Sequence, residues 1–299
     1  MRVVPLEAFR EKIPFAVAVR AVERGFRALA LGEATLPDPL VMELAEQRAE
    51  VHVKGAHLRG GPHIVLKLAT GFYRNRERGL PSGDGMFLLL DAETGAPEML
   101  LEEHGYLTDL RTAAAVALTL EYLAPKEEKQ ALLVGAGALA RLTARAMLAE
   151  RPLERLTLWN RSRERAEALA RELAPLVEVR VAPALEPAVR DHRVIVTATA
   201  STTVGTGSPE KIELEPALLA RADKLVADRV SQTERYGNLH HAIAAGLVTR
   251  ARVYGELGDL AAGRLAGRER PGELTVADLT GVGVQDAAIA QSVIEVLGL

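Results

Sequence analysis

The chain has 299 residues, enough for two domains, because a single core stops growing near the upper end of the usual range of about 100–200 residues. With 48% hydrophobic and 26% charged residues and a net charge of −3, it has no electrostatic pull towards nucleic acid or an anionic membrane surface. It contains no cysteine, which excludes disulfides, thiolate nucleophiles and cysteine metal sites, and no metal site of another kind is expected.

In chain order, apolar residues from 6 to about 32 recur at helical spacing, with Phe15, Val19, Val22 and Phe26 on one face, which predicts a long amphipathic helix. The charges of this opening stretch stand where a signal peptide needs an apolar core. No run of about 18 apolar residues occurs anywhere, so the cytoplasm is the expected location. Strand-like runs follow at 50–54, 63–68 and 86–90, the last turning through 92–95 into 97–101, with 60–61 and 75–85 as turns or loops. Helical spacing returns over 107–123, and Pro125 closes it.

Beyond Pro125 strands and helices alternate, the pattern of a parallel sheet wrapped by crossover helices. Strands are expected at 131–135, 155–160, 177–182, 193–199 and 224–228, and helices at 138–149, 162–174, 213–222 and 232–246. A short strand at 274–278 precedes a last helix from about Gln285 to the C-terminus. One junction is too short: the strand ending at Ala200 is followed, after Ser201, Thr202 and Thr203, by what reads as a new strand and turn at 204–209. A parallel crossover needs about a dozen residues, so either a crossover has been lost or residues between 200 and 204 are absent from the sequence.

The first motif that carries chemistry is Gly135-Ala136-Gly137-Ala138-Leu139-Ala140, an apolar strand running into a glycine turn and a helix. The first glycine permits the tight turn, the second lets backbone approach a pyrophosphate, and Ala140 packs between helix and strand; the helix N-terminus supplies free N–H groups to the anion. A plain strand-to-helix turn is the alternative for such a match in isolation. At the end of the second strand, Asn160, Arg161 and Ser162 stand where a carboxylate would bind a ribose 2′-hydroxyl. Arginine there suits a 2′-phosphate, so NADP(H) is expected to be preferred over NAD(H), unless Arg161 and Arg163 are solvated turn residues. Thr197, Ala198 and Thr199 fall at the carboxyl edge of the sheet, where ligands bind, and the threonines could line the nicotinamide ribose; strand propensity alone would also account for them.

Three cations occupy unusual places in the N-terminal half: Lys67 inside an apolar strand, Lys54 inside an alternating one, and Arg111 at the head of an apolar helical run. A buried or cleft-facing cation needs an anionic partner, and a substrate carboxylate is one candidate; lysines protecting an edge strand are the alternative.

The ordered set Lys67-Leu-Ala-Thr-Gly-Phe-Tyr73, Gly79-Leu-Pro-Ser-Gly83, Asp91-Ala-Glu-Thr-Gly-Ala-Pro97, Gly105-Tyr-Leu-Thr-Asp-Leu-Arg-Thr-Ala-Ala-Ala115, the glycine turn and Thr280-Gly-Val-Gly-Val-Gln-Asp286 resembles the ornithine cyclodeaminase/mu-crystallin family over nearly the whole chain. Asp228-Arg-Val-Ser-Gln232 and the stretch from Gly237 to Gly246 look most like its ectoine-utilization branch. The resemblance implies an α/β enzyme with a Rossmann NAD(P)-binding domain at 126–282 and an α+β substrate and dimerisation domain formed by 1–125 and the C-terminal helix at 283–299.

It further implies a homodimer working on an amino or imino acid of small size, with Lys67 as the active-site lysine, Arg111 holding the substrate carboxylate, and Thr112 near the cofactor phosphate. In the turn where cyclodeaminases carry an aspartate, this sequence has Gly207, which can act as neither acid nor base. That favours a ketimine reductase or amino-acid dehydrogenase over an ornithine cyclodeaminase forming proline and ammonia, with a non-catalytic, crystallin-like NADP(H)-binding protein as the alternative of another class.

Overall fold

The computed structural model describes residues 1–199 and 212–299; the short junction at 200–204 and Gly207 lie outside the described residues. The first half builds a sheet that is antiparallel except for its edge strand β1, which runs parallel to β7. Its elements are β1 (Arg2–Val4), α1 (Phe15–Ala30), β2 (Ala34–Thr35), β3 (Leu40–Leu44), β4 (Ala49–Leu58), β5 (His63–Phe72), β6 (Gly83–Asp91), β7 (Pro97–Glu102) and α2 (Tyr106–Leu123). The strands follow the order β1-β7-β6-β5-β4-β2, with β3 also pairing with β4, so β4 and β5 are interior strands.

The long helix expected from residue 6 begins only at Phe15, because Pro14 at its boundary lacks an N–H and is itself non-helical, with φ −60 and ψ 142; a single 3-10 turn, Leu6–Ala8, stands before it. From there the face foreseen by spacing is buried: Val19, Val22 and Phe26 join Phe87, Leu89, Leu101 and Leu110 in the largest core.

The second half is built from parallel strands. In chain order come β8 (Gln130–Val134), α3 (Ala138–Glu150), β9 (Arg155–Trp159), α4 (Arg163–Leu173), β10 (Glu178–Val181), α5 (Leu185–Asp191) and β11 (Ile195–Thr197). They are followed by α6 (Pro216–Arg221), β12 (Lys224–Ala227), α7 (Val230–Thr233), α8 (Gly237–Ala244), β13 (Gly255–Glu256), α9 (Leu257–Ala261), β14 (Thr275–Asp278) and α10 (Gly283–Leu297). The order β10-β9-β8-β11 reproduces the doubly wound arrangement in which strand order reverses beside the first strand, and β13-β12-β14 forms a further parallel sheet. The helix expected at 232–246 is two helices, because Gly237 interrupts it at φ +82. The last helix returns to the first half and packs against α1 and β4. Among the described residues no helix is long and apolar enough to cross a membrane.

At the glycine turn, Gly135 has φ +126, and a Cβ there would lie 2.2 Å from the carbonyl oxygen of Ala198 on the neighbouring strand. Gly135→Ala should therefore lose at least about 1–3 kcal/mol of stability through backbone strain, read as a lowered denaturation midpoint; an unchanged midpoint would refute the tight turn.

Candidate active site

Register on the antiparallel sheet sets two lysines side by side: Lys54 on β4 is directly opposite Lys67 on β5. The protective role of an edge lysine is thereby ruled out for both, since each strand is paired on both sides. Lys67 is 2% exposed, an arrangement that burial alone would make costly, and its Nζ lies 3.1 Å from Oδ1 of Asp286 in the first turn of α10. The same oxygen receives Nε of Arg111, from the first turns of α2, at 3.1 Å. The other oxygen of Asp286, Oδ2, is buried and has no hydrogen-bond partner among the described residues.

The loop between β14 and α10 locks this cluster. Gly281 adopts φ +81, and a Cβ there would fall 2.3 Å from the Arg111 guanidinium, so the arginine packs directly on its backbone. The carbonyl of Gly281 accepts from Lys54 Nζ at 2.7 Å and from Gln232 Nε2 at 2.8 Å. Its N–H donates to Asp228, just past the carboxyl end of β12, at 2.6 Å, and Thr280 N–H donates to the same carboxylate at 2.7 Å. Gln285 accepts from Val282 N–H at 2.7 Å and approaches Arg111. Lys67, Arg111 and Lys54 thus converge, from the antiparallel half, on the carboxyl ends of β12 and β14, the edge at which open α/β sheets bind ligands.

Three cations crowd one carboxylate, and the proton affinities of the two lysines and of the carboxylate respond. Burial, Lys67 and Arg111 push Lys54 down to about 7. Burial and Arg111 also lower Lys67, against the opposing pull of Asp286. For Asp286 burial acts upward, yet Lys67, Arg111 and Lys54 together hold it below the ordinary carboxylate range. Asp109, two residues before Arg111, is raised to about 6 by burial and by Glu103.

On the parallel side, Gly135 is buried, while Gly137 and Ala138 are exposed at the start of α3, with Ala136 and Leu139 partly covered and Ala140 buried. A Cβ on Gly137 would meet nothing within 4 Å, so its backbone faces open space at a helix N-terminus, an arrangement that suits a dinucleotide pyrophosphate. After β9, Asn160 Nδ2 donates to the Ser162 carbonyl at 3.0 Å, Ser162 caps α4 by accepting from Arg165 N–H, and Arg161 is exposed. Thr197 and Thr199 both direct their hydroxyls to Glu213, at 3.3 and 2.5 Å, with Ala198 between them against Gly135. Thr112 donates to the Thr108 carbonyl within α2.

The residues that sequence reasoning gave no role are Asp286, Gly281, Gln232 and Asp228. A signal existed for Asp286, a lone carboxylate at the head of an apolar helix, the same signature that singled out Lys67.

A model of the ornithine cyclodeaminase/mu-crystallin family matches residues 6–298. The sequence is 39% identical to an uncharacterized cyclodeaminase of Sinorhizobium fredii, over 97% of this chain and 94% of the relative. It is 35% identical to the iminosuccinate reductase of Paracoccus denitrificans, over 93% of this chain and 91% of the relative. The crystal structure of that reductase in complex with NAD+ has a TM-score of 0.88 at 31% identity, covering 99% of this chain and 96% of the other. An archaeal alanine dehydrogenase dimer with bound NAD has a TM-score of 0.90 at 26% identity, covering 99% and 95%.

Two stability measurements check the electrostatics. Asp286→Ala should cost about 3–5 kcal/mol in denaturant unfolding, because it leaves Lys67 and Arg111 buried without their carboxylate; a loss within 0.5 kcal/mol, roughly the scatter of a surface substitution, would show that the cluster is solvated. For Lys54, lowered from 10.5 to about 7, the unfolded chain holds more protons than the folded one between those values, so its contribution to stability rises with pH across that window. Lys54→Met should flatten that rise relative to the unmodified protein; parallel pH profiles for the two would contradict the lowered proton affinity.

Proposed function

The chain belongs to the ornithine cyclodeaminase/mu-crystallin family, and on that premise we propose that it is an NAD(P)(H)-dependent oxidoreductase that interconverts a small imino acid, open-chain or cyclic, and the corresponding amino acid. The observation that carries the reading is the enclosed cluster of Lys67, Arg111 and Lys54 around a single carboxylate, Asp286, at the carboxyl edge of the parallel strands. Enclosed cations in excess call for an anionic ligand, and an acid is one. Relatives named iminosuccinate reductase and alanine dehydrogenase support the same chemistry.

In this reading Arg111 takes the substrate carboxylate, its guanidinium held in plane by Gly281 and by Asp286 so that little freedom is lost on binding. Lys67 is a proton donor to the imine nitrogen: burial makes its ammonium readier to give up a proton than an exposed lysine, and Asp286 steadies it before transfer. The orphaned Oδ2 of Asp286 offers an acceptor for the nitrogen-bound hydrogen of the substrate. The reduced nicotinamide, when bound, supplies the hydride to the imine carbon. One imino acid, one NAD(P)H and one proton give one amino acid and one NAD(P)+.

The cofactor would lie on Gly135, Ala136, Gly137, Ala138 and Leu139, with Asn160, Arg161 and Ser162 at its ribose end, Thr197, Ala198 and Thr199 at the edge of β11, and Thr112 near its phosphates. NADP(H) is the preferred form in this proposal, supported by the exposed Arg161; the relatives solved with NAD or NAD+ make NAD(H) the competing outcome. The division into 1–125 with 283–299 and 126–282, a cytoplasmic location and a homodimer belong to the same reading, the last supported by the archaeal alanine dehydrogenase dimer. Cyclodeamination is the second reading, favoured by the cyclodeaminase relative.

Incubation of the protein with NADPH or NADH and a panel of imino acids tests the proposal. Substrate-dependent cofactor oxidation is expected, whereas ammonia release from ornithine at constant cofactor would put cyclodeamination in its place. Lys67→Ala should abolish turnover while cofactor binding persists, and undiminished turnover would refute its role. Arg111→Lys should raise KM for the acid by about tenfold, since it loses the bidentate fork. Arg161→Ala should weaken NADPH about tenfold and leave NADH unaffected, a loss of one charge-assisted contact; equal effects on both would overturn the NADP(H) preference.

A further inference from the structure

Lys54 is not accounted for by the chemistry of Lys67 and Arg111. It stands directly across from Lys67 in the sheet, and like charges in that position repel. Its ammonium carries three donors, and among the described residues its hydrogen bond is the one to the Gly281 carbonyl, with no carboxylate within ion-pair distance. Asp286 is engaged by Lys67 and Arg111, and Asp228 by the backbone N–H groups of Arg229, Thr280 and Gly281. With one substrate carboxylate at Arg111, Lys54 still keeps two N–H donors that have no partner among the described residues.

That cation borders a cleft. Beside Lys54 is a groove open to solvent, lined also by Pro39, Val41, His52, Gln232, Tyr236 and Thr280, with a cavity volume of about 10 Å³. A second groove shares Pro39, Gln232 and Tyr236 with it and carries Arg229 and Arg235, the latter paired with Asp38 at 3.2 Å. In a lining that is otherwise largely apolar or uncharged, Lys54, Arg229 and Arg235 stand against Asp38, a net positive balance that favours anions.

We propose that this cleft receives the side chain of the substrate and that Lys54 selects an anionic one, so that the substrates are imino and amino dicarboxylic acids. Lys54 is then a specificity residue: the second carboxylate takes the two N–H donors left over from Gly281 and separates the facing charges of Lys54 and Lys67. This inference rests on the oxidoreductase reading and narrows its substrate class.

The test compares kcat/KM for oxaloacetate with ammonium, pyruvate with ammonium, and Δ1-pyrroline-2-carboxylate, using NADPH and NADH, in the unmodified protein, Lys54→Met and Lys54→Arg. The dicarboxylic acid should be preferred at least about tenfold. Lys54→Met should lower the dicarboxylate-to-monocarboxylate ratio by roughly 30-fold or more, as expected for truncating one partner of an enclosed, hydrogen-bonded charge pair. Lys54→Arg, which keeps the charge, should keep a preference of the same sign. A preference for either monocarboxylic substrate, or a Lys54→Met variant that slows all acids equally, overturns the inference and leaves the oxidoreductase reading standing. No cofactor oxidation with any acid overturns both.

Discussion

Oδ1 of Asp286 accepts a hydrogen bond from Lys67 at 3.1 Å and forms an ion pair with Nε of Arg111 at 3.1 Å, and this shared carboxylate is what allows two cations to be buried on facing elements. An isolated ammonium or guanidinium in such surroundings would neutralise or open the structure to water; a common counter-ion makes the enclosure tolerable without cancelling it. The imbalance that remains, three cations against the buried carboxylates of Asp286 and Asp228, is the property from which the functional reading follows. Such an arrangement does little for stability by comparison with a packed apolar core, and its retention is better explained by what it binds.

The segment from Thr280 to Asp286 ties this chemistry to the fold. It leaves the parallel strand β14, turns at Gly281 against the Arg111 guanidinium, and enters α10 at Gly283, where a Cβ would lie 2.7 Å from the Gly55 carbonyl of β4. The helix that delivers Asp286 is thus pressed onto the strand that carries Lys54, while its leading loop is held by Asp228 and Gln232 from the far end of β12. Packing and site geometry are set by the same close backbone approaches, so neither half of the molecule positions the cations alone.

Much of this was legible in the sequence because charge and periodicity conflict there. Lys67 in an apolar strand and Arg111 at the head of an apolar helix each break a pattern, and both prove buried. The glycine turn was legible for the same kind of reason: Gly135 and Gly137 separate strand from helix at the places where one must avoid Ala198 and the other faces open space. What sequence could not give was convergence. Lys54 and Gly281 are 227 residues apart, and nothing local to either reports the other. The strand β3 escaped notice because Leu40, Met42 and Leu44 are exposed and follow no alternation with buried neighbours. The division between α7 and α8 depends on Gly237, where a Cβ would crowd the Asp278 carboxylate, a contact set by tertiary structure.

The cofactor side and the substrate side are joined in the account by one event, passage of a hydride between the nicotinamide and the carbon bearing nitrogen while Lys67 manages the proton. Transfer of isotope tests this most directly. With NADPH or NADH deuterated at the reactive position and an imino acid as substrate, the account expects one deuterium at the α-carbon of the amino acid for each cofactor oxidised, found by mass spectrometry. Amino acid formed without label, or ammonia released while the cofactor remains unchanged, would contradict it.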